Sequence, residues 1–351
     1  MGRWESGGGG PGPGVVINGK YELLEPAGEG GMATVWRGIL HGAAGFTRPI
    51  AVKRLRPEFR AIKNYVDMFV EEARVGSELN HPNIVQVVDF CVDADGLYYL
   101  IMEWVEGLDL GAFARLVAHT ERPLEWPLAA ATGIGVLRGL AAAHERSRPD
   151  GSHAPVVHRD VSPHNVLIDQ SGVVKLSDFG LARARDRVMS HTAPGAVKGK
   201  LHYFAPEITK GKRATPRSDV FSLAVVLWEV LAGRRAFAGD NEREVLSRIR
   251  RGEVEPLSQF RPDLPERLVA AVHRGMATVP EDRFVSARQM AVELGECLRE
   301  AGEYVDQQAA LGQRVTEVRD SARALGHAFS ATELDLPTWS YTALPATPGE
   351  K

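Results

Sequence analysis

The sequence predicts an α+β fold of two unequal lobes, a small β-rich lobe that carries one helix and a larger helical lobe. Strand patterns rich in β-branched residues run from about Tyr21 to Leu55 and return between His81 and Val105, with a helical pattern at 61–79 between them. Helical patterns dominate from Leu110 onward. The 351 residues suffice for one two-lobed domain with tails.

Each predicted element has its own signal. The segments ATVWRGIL and IAVKRL show partial alternation beside glycine clusters, as strands do, and ADG in the later strand region is typical of a turn. VLI and VKLS are short strand-like pieces within the helical part. The helix between the strand regions has one apolar face, made of Ile62, Tyr65, Val66, Phe69, Ala73, Gly76 and Leu79.

The two ends of the chain differ from the part between them. The first residues are rich in glycine and proline and the last in threonine and proline, so both are predicted to be disordered. Before the tail, apolar residues at alternating spacings of four and three predict an amphipathic helix that packs back on the larger lobe. These residues are Leu311, Val315, Val318, Ala322, Leu325 and Phe329. The predicted boundaries are 1–18 for the leader, 19–300 for the domain with lobes at about 19–105 and 107–300, 301–329 for the helix and 330–351 for the tail.

The composition argues against several function classes. A formal net charge of −3 gives no reason to expect nucleic-acid binding. Cys91 and Cys297 lack metal-ligand spacing and are expected to be reduced thiols, which fits a cytoplasmic protein. The longest apolar run, VFSLAVVLWEVLAG, contains Glu229 and is too short to span a bilayer. It is predicted to be a buried helix that ends at Gly233, and no membrane span is expected.

The glycine-rich segment GEGGMATV, from Gly28 to Val35, lies between two strand patterns, where glycines let backbone N–H groups approach a phosphate. A dinucleotide-binding motif would need a helix after it, but the strand pattern TVWRGIL follows. The segment GAVKGKL has one residue too few between its glycines to be a P-loop. On the next strand, Ala51 and Lys53 share one face, where an ammonium group can bind nucleotide phosphates. Glu72, one turn past Phe69, is expected to hold Lys53.

Two further segments contribute acidic and amide oxygens. Asp178 opens DFG after VKLS, and Asn165 closes HRDVSPHN. Their oxygens suit a Mg²⁺ ion that bridges phosphates. Asp160, in HRDVSPHN, can accept the proton of an attacking hydroxyl. Each feature alone is weak, but the whole series in this order is not expected by chance.

The segments GEGGMATV, IAVK, HRDVSPHN, DFG and FAPE occur in the order of the protein kinase signature. From about Tyr21 to Leu298 the chain therefore resembles the eukaryotic-like (Hanks-type) serine/threonine protein kinases of bacteria, and HRDVSPHN with GKLHYFAPE is similar to those of myxobacteria. The resemblance implies the bilobal protein kinase fold, in which the small-lobe helix is regulatory. It also implies ATP and Mg²⁺ as cofactors, with Mn²⁺ as an alternative ion, and transfer of the γ-phosphoryl group to serine or threonine hydroxyls of protein substrates in signal transduction.

The resemblance also implies a role for each site residue. Lys53 and Glu72 would position the nucleotide. Asn165 and Asp178 would bind the metal, and Asp160 would orient the acceptor hydroxyl. The residues implied to bind ATP are Gly28, Glu29, Gly30, Gly31, Met32, Ala33, Val35, Ala51, Lys53, Met102 as gatekeeper, Glu103 and Val105 as the adenine hinge through their backbones, and Leu167. Structural roles are implied for His158, for Arg159, for Asp219 as an anchor of the segment HRDVSPHN from inside the larger lobe, and for the ion pair of Glu207 with Arg283.

Three positions depart from the family pattern. Ala33 replaces a third glycine, which is a mild change. Ser162 replaces the lysine that contacts the transferring phosphoryl group, and Lys200 replaces a threonine before FAPE. We hypothesise that Lys200 supplies the charge that Ser162 lacks and so acts in catalysis. Two other functions are alternatives to an active protein kinase. One is a pseudokinase that acts as a scaffold or nucleotide sensor. The other is a small-molecule kinase, which FAPE and the long segment between DFG and FAPE disfavour.

Arg159 points to regulation through the activation segment between DFG and FAPE. In the family, an arginine at this position marks kinases whose activation segment is ordered by phosphorylation. Thr192 is the first expected phosphosite and Ser190 the second. Autophosphorylation in trans would require self-association, which is expected in addition to contacts with protein substrates.

Overall fold

Two lobes make up the described part of the chain. A six-stranded antiparallel sheet and one helix form the smaller lobe, and helices with a three-stranded sheet form the larger one. This confirms the predicted α+β fold of two lobes. The computed structural model describes residues 12–120, 122, 124–148, 150–179, 201–303 and 306–324.

Six strands form the sheet of the smaller lobe: β1 (Val16–Ile17), β2 (Tyr21–Glu29), β3 (Ala33–His41), β4 (Thr47–Leu55), β5 (Val87–Val92) and β6 (Tyr98–Glu103). Their order is β1-β2-β3-β4-β6-β5, and every neighbouring pair is antiparallel. The register places Val35 opposite Lys53 and Ala51 opposite Met102. Strands β3, β4 and β6 therefore carry predicted nucleotide-binding residues side by side.

Strand β1 lies within the predicted disordered leader, so that prediction is wrong for residues 12–18. The backbone N–H of Leu23 on β2 donates to the carbonyl of Val15 at 2.9 Å, which extends the pairing of β1 with β2. Ile17 is buried in the core of this lobe. The prediction of disorder rested on the glycine- and proline-rich composition. It gave too little weight to the three successive β-branched residues VVI, which favour a paired and half-buried strand. Residues 1–11 lie outside the described residues.

Helix α1 (Lys63–Ser77) packs one face against this sheet. Phe69 and Ala73 are buried in an apolar cluster with strand residues, and Glu72 is buried on the same face. Ile62, which was predicted for this face, is 44% exposed. It is the N-cap residue and has extended backbone angles, so the helical spacing does not apply to it.

Eight helices among the described residues belong to the larger lobe: α2 (Leu110–Ala118), α3 (Trp126–His144), α4 (Pro206–Thr209), α5 (Pro216–Ala232), α6 (Glu242–Arg251), α7 (Glu266–Gly275), α8 (Ala287–Glu300) and α9 (Gln307–Ala324). Its antiparallel sheet has the order β7-β8-β9. The strands are β7 (Gly107–Asp109), β8 (Val166–Asp169) and β9 (Val174–Leu176). Strand β7 was not predicted from the sequence.

Helix α5 is the central helix of the larger lobe. Every residue from Ser218 to Leu231 is buried. The helix ends at Gly233, whose φ of 67° lies in the left-handed region that favours glycine at this position. The predicted buried helix with this end point is confirmed.

Helix α3 is the one described helix that is long and apolar enough to cross a membrane. Here 72% of its apolar window is buried within the protein. The helix packs against α5 and α8. Core helices of soluble proteins pass the same test of length and composition, so the apolar character of α3 is accounted for by its place in the core.

Helix α9 packs back on the larger lobe, against α2, α3 and β8. Leu311, Val315 and Val318 on one face of α9 are buried in the main core of that lobe. This is the packing expected for the helix within 301–329. The end of the predicted helix, from residue 325, and the predicted tail, 330–351, lie outside the described residues.

Candidate active site

Lys53 is held by one carboxylate from each lobe. Its Nζ atom donates to Glu72 Oε1 at 2.6 Å and to Asp178 Oδ1 at 2.8 Å. Burial alone would lower the pKa of Lys53, but Asp178 and Glu72 raise it well above the usual value, so the side chain is cationic. Burial raises the pKa of Glu72, and the charge of Lys53 opposes that shift. The predicted contact of Lys53 with Glu72 is present, and Asp178 shares it.

Asn165 and Asp178 present the oxygens of a candidate metal site. Asn165 Nδ2 donates to the Asp160 backbone oxygen at 2.7 Å and to Asp160 Oδ2 at 3.2 Å, which leaves the amide Oδ1 for a cation. Ser177 N donates to the Asn165 carbonyl at 2.9 Å and so brings Asp178 alongside. Among the described residues, no cluster of three or more His, Cys, Asp or Glu could hold a metal alone. This donor set fits Mg²⁺, which commonly takes one or two protein oxygens and completes its shell with phosphates and water.

Asp219, at the start of α5, holds the loop 158–165, which we call the catalytic loop. Its carboxylate accepts the backbone N–H of His158 at 2.8 Å and that of Arg159 at 2.7 Å. His144 Nε2 lies 2.8 Å from the same carboxylate. Asp219 therefore lies where the predicted anchor was expected. His144 was missed, because no motif marks the last residue of an apolar helix.

His158 connects the catalytic loop to DFG. Its Nδ1 atom accepts the backbone N–H of Asp160 at 3.2 Å, so we assign the ring proton to Nε2, which donates to the Ser177 carbonyl at 2.8 Å. The ring also packs edge-on against Phe179 with 4.5 Å between centroids. The base candidate and the metal-binding candidate are thereby held in one hydrogen-bonded unit.

Two residues of this unit have left-handed backbone angles. The φ angles are 66° at Arg159 and 62° at Asp178, where side chains other than glycine are strained. Contacts with neighbouring residues hold both conformations in place. The backbone N–H of Arg159 donates to the Asp219 carboxylate, and the side chain of Asp178 forms an ion pair with Lys53. Such strain is common where a backbone must aim functional side chains.

An apolar cluster lies between the lobes where the resemblance implies an adenine site. The structure places Val35, Ala51, Met102, Val105 and Leu167 in one cluster, although they come from three strands of the small lobe, the linker after β6 and strand β8. Such a surface can cover both faces of a flat heterocycle.

The glycine-rich segment forms the turn between β2 and β3. Gly30 N donates to the Ala33 carbonyl at 2.8 Å, and Glu29, Gly30 and Gly31 are exposed. Ala33 itself is buried in the apolar cluster of this lobe, together with Met32 at its edge. Because its methyl group points into the core, the replacement of a third glycine by Ala33 leaves the approach of phosphates to the turn open.

Ser162 is buried at the centre of the catalytic loop. Within the described part of the chain, its Oγ atom has no hydrogen-bond partner. Three predicted residues lie outside the described residues: Lys200 and the phosphosites Thr192 and Ser190. The hypothesis that Lys200 supplies the charge that Ser162 lacks therefore stays a prediction.

Glu207 and Arg283 form a buried ion pair below FAPE. Arg283 Nη1 and Nη2 donate to the two carboxylate oxygens at 2.9 Å and 2.7 Å, and Ser218 Oγ donates to Glu207 Oε1 at 2.7 Å. Burial would raise the pKa of Glu207, but Arg283 lowers it below the usual value. The guanidinium also donates from Nε to the Ala277 carbonyl at 2.7 Å. The expected pair is present and its polar atoms are well partnered.

A second buried network, close to FAPE, was not predicted. Glu229 Oε2 accepts hydrogen bonds from Tyr203 Oη at 2.9 Å and from Arg235 Nη1 at 3.1 Å. The network attaches the segment 201–203, which leads into FAPE, to helix α5. The sequence did hold a signal, because an acid inside an apolar helix must find donors if it is buried.

Comparison with known proteins gives one family. A family model described as the protein kinase domain matches residues 21–292 of this chain. The crystal structure of the PknI kinase domain of Mycobacterium tuberculosis aligns over 82% of this chain and 99% of that chain, with 27% identity and a TM-score of 0.60. The protein kinase fold that the resemblance implied is thereby confirmed.

Several curated relatives are bacterial kinases. The tyrosine-protein kinase MasK of Myxococcus xanthus is 40% identical over 282 residues, which are 80% of this chain and 43% of MasK. The serine/threonine-protein kinase PrkC of Bacillus subtilis is 32% identical over 282 residues, 80% of this chain and 41% of PrkC. PknA of M. tuberculosis, also a serine/threonine-protein kinase, is 34% identical over 285 residues, 80% of this chain and 62% of PknA. The chain therefore spans less than two thirds of each of these relatives, and the predicted resemblance to bacterial kinases is confirmed.

Proposed function

Because this chain belongs to the protein kinase family, whose members are ATP-dependent phosphotransferases, we propose that it phosphorylates serine and threonine hydroxyls of protein substrates. The observation that supports activity most is the shared ion pair of Lys53 with Glu72 and Asp178. A lysine that binds nucleotide phosphates has to be held in this way, with the metal-binding carboxylate beside it. We also propose that the protein acts in the cytoplasm.

The described residues suggest how the reaction is organised. The apolar cluster with Ala51 would bind adenine, and Lys53 would bind phosphate oxygens. Asn165 and Asp178 would hold Mg²⁺, which when bound neutralises charge on the phosphates. The Asp160 carboxylate would orient the acceptor hydroxyl and take its proton. Catalysis would thus rest on positioning and on charge neutralisation.

The acceptor residue is the finer part of this proposal. PrkC and PknA carry the name serine/threonine kinase, whereas MasK carries the name tyrosine kinase, so tyrosine is a second candidate acceptor. In the kinase family that this chain resembles, tyrosine kinases have Ala-Ala-Arg directly before the asparagine that corresponds to Asn165. Ser-Pro-His precedes Asn165 here, and we therefore favour serine and threonine.

One experiment tests this function. The purified chain is incubated with labelled ATP and Mg²⁺ beside the Asp160→Asn variant, and the labelled amino acids and positions are identified. We expect phosphoserine and phosphothreonine on the wild type alone, centred on Thr192 or Ser190, at a rate per molecule that rises with protein concentration if molecules act on one another. Phosphotyrosine alone would change the acceptor class. Absence of label, with a non-hydrolysable ATP analogue still bound, would favour the pseudokinase.

The hypothesis that Lys200 supplies the positive charge missing at Ser162 gives a separate prediction. The buried Ser162 hydroxyl has no hydrogen-bond partner among the described residues, and the ammonium group of Lys200 would supply one. Lys200→Met is expected to lower kcat about 100-fold, since one charge-stabilising group is lost from the transition state. The double variant Ser162→Lys/Lys200→Thr should recover most of that rate.

Lys198→Met, two residues away in the same segment, is the matched control and should keep its activity. Full turnover by Lys200→Met, measured as initial rates on a peptide substrate at saturating ATP, would rule out this hypothesis.

A further inference from the structure

Glu106 lies at the end of the hinge, residues 103–106, which passes from β6 to β7. Its Oε2 atom accepts a hydrogen bond from Trp104 Nε1 at 2.8 Å and lies 3.7 Å from Arg37 Nη2 on β3. Its Oε1 atom accepts a hydrogen bond from Arg319 Nη2 on α9. One carboxylate therefore connects the small lobe, the hinge and the C-terminal helix.

The contact between Glu106 and Arg319 is partly shielded from solvent. The side chain of Arg319 is 15% exposed and that of Glu106 is 41% exposed. Burial acts to raise the pKa of Glu106, but the hydrogen bonds from Arg319 and Trp104 and the nearby positive charges lower it below the usual value. The carboxylate is therefore ionised at neutral pH, and Arg319 contributes to that state.

The backbone of Glu106 is held from α9 by a second route. Gln170 N, in the turn after β8, donates to the Glu106 carbonyl at 3.1 Å. Helix α9 packs against this turn at Gly312, where a Cβ atom would come within 2.5 Å of the Gln170 carbonyl oxygen. Both the side chain and the backbone of Glu106 thus depend on where α9 lies.

Helix α9 is itself fixed to the larger lobe. Arg314 is buried and donates from Nη2 to Thr120 Oγ1 at 2.9 Å and to the Arg122 carbonyl at 2.8 Å. Leu311 is buried in the core of the same lobe. The helix can therefore act as a fixed point against which the hinge is held.

We propose that Arg319 is a positioning residue for the nucleotide, acting through Glu106 on the hinge backbone. This rests on the proposed ATP site, in which the backbones of Glu103 and Val105 would bind adenine. Val105 is joined directly to Glu106, so a displacement of Glu106 moves the N–H and carbonyl groups that would face the base. Loss of the Arg319 contact weakens nucleotide binding but leaves the chemistry at Asp160 unchanged.

Arg319→Met tests the side-chain route, because methionine keeps an apolar stem and removes the donors. We expect the Kd of a non-hydrolysable ATP analogue with Mg²⁺, measured by calorimetry well below the melting temperature, to rise about fivefold. KM for ATP should rise in parallel, with kcat within about twofold of the wild type. Arg319→Lys, which retains the charge, should recover part of the affinity. Arg323→Met, exposed on the same helix, is the matched control and should change neither value.

Gly312→Ala tests the backbone route. The added Cβ atom cannot fit at 2.5 Å from the Gln170 carbonyl, so α9 must shift, and we again expect weaker nucleotide binding. Gly295→Ala in α8 is the matched control, because a Cβ atom there meets nothing within 4 Å. Both variants place alanine in a helix, so a difference between them reports on the contact with the turn. If Gly312→Ala does not fold, the Arg319 variants decide alone.

The outcomes separate the two proposals. A wild-type chain that binds no nucleotide would overturn both the proposed function and the role of Arg319. A wild-type chain that binds, with Arg319→Met and Arg323→Met at the same Kd, would overturn the positioning role alone. A lower melting temperature of Arg319→Met with an unchanged Kd would likewise overturn it, since Arg319 would then be structural only.

Discussion

Asp160→Asn is expected to lower kcat for phosphoryl transfer by about 10²–10⁴-fold and to leave the nucleotide Kd unchanged. The amide cannot take the proton of the acceptor hydroxyl, although it has nearly the shape of the carboxylate. Its oxygen can still accept the hydrogen bond that Asn165 Nδ2 gives to Asp160 Oδ2 at 3.2 Å. Single-turnover kinetics with labelled ATP and calorimetry with a non-hydrolysable analogue measure the two quantities separately.

The matched control for this variant is Asp95→Asn, an exposed carboxylate in the turn between β5 and β6. It should have the wild-type rate and affinity. A rate for Asp160→Asn within tenfold of the wild type would contradict the role of Asp160 as proton acceptor. A parallel loss of rate and nucleotide affinity would instead show that Asp160 holds the site together.

Arg283→Leu is expected to destabilise the protein by about 3–5 kcal/mol. The Glu207 side chain is 8% exposed, and without Arg283 its charge would stay buried with Ser218 Oγ as its one side-chain donor among the described residues. The carbonyl of Ala277 would also lose a donor. Urea unfolding followed by tryptophan fluorescence measures the change as a shift of the midpoint.

Arg288→Leu serves as the matched control, since Arg288 also pairs with a glutamate, Glu145, but at the surface. The side chains of that pair are 66% and 47% exposed, and such pairs contribute less than about 1 kcal/mol. Equal midpoints for Arg283→Leu and Arg288→Leu would contradict the importance given to burial. A much lower midpoint for Arg283→Leu alone is the expected result.

The parts of the candidate site that the sequence predicted are those that local periodicity determines. Alternation along β4 places Ala51 and Lys53 on one face, and the helical spacing from Phe69 places Glu72 on the inner face of α1. Both periods are set by backbone geometry, so they hold whatever the rest of the fold does. The order of the motifs then placed these residues and Asp178 in one candidate site, but it did not predict the direct contact of Lys53 with Asp178.

Contacts between distant residues without a pattern could not be predicted. Nothing local distinguishes Arg319 from the other arginines of α9, and its partner Glu106 lies 213 residues away. The surroundings of Glu229 likewise depend on how the segment before FAPE folds against α5. Ile17, in contrast, does lie in a local pattern, the short strand signal VVI. It was missed because the glycine-rich composition beside it outweighed that signal.

The left-handed backbone angles at Arg159 and Asp178 lower the stability of the folded protein, while the side chains at these positions serve its proposed activity. Each conformation costs a residue other than glycine about 1–2 kcal/mol, so glycine at either position would relieve strain. Glycine would also delete a side chain that the proposed reaction or its regulation requires. Laboratory selection for heat tolerance alone would therefore favour glycine at Arg159, whereas at Asp178 the loss of the ion pair with the buried Lys53 would outweigh the relief of strain. Any effort to stabilise this protein therefore has to measure phosphoryl transfer together with stability.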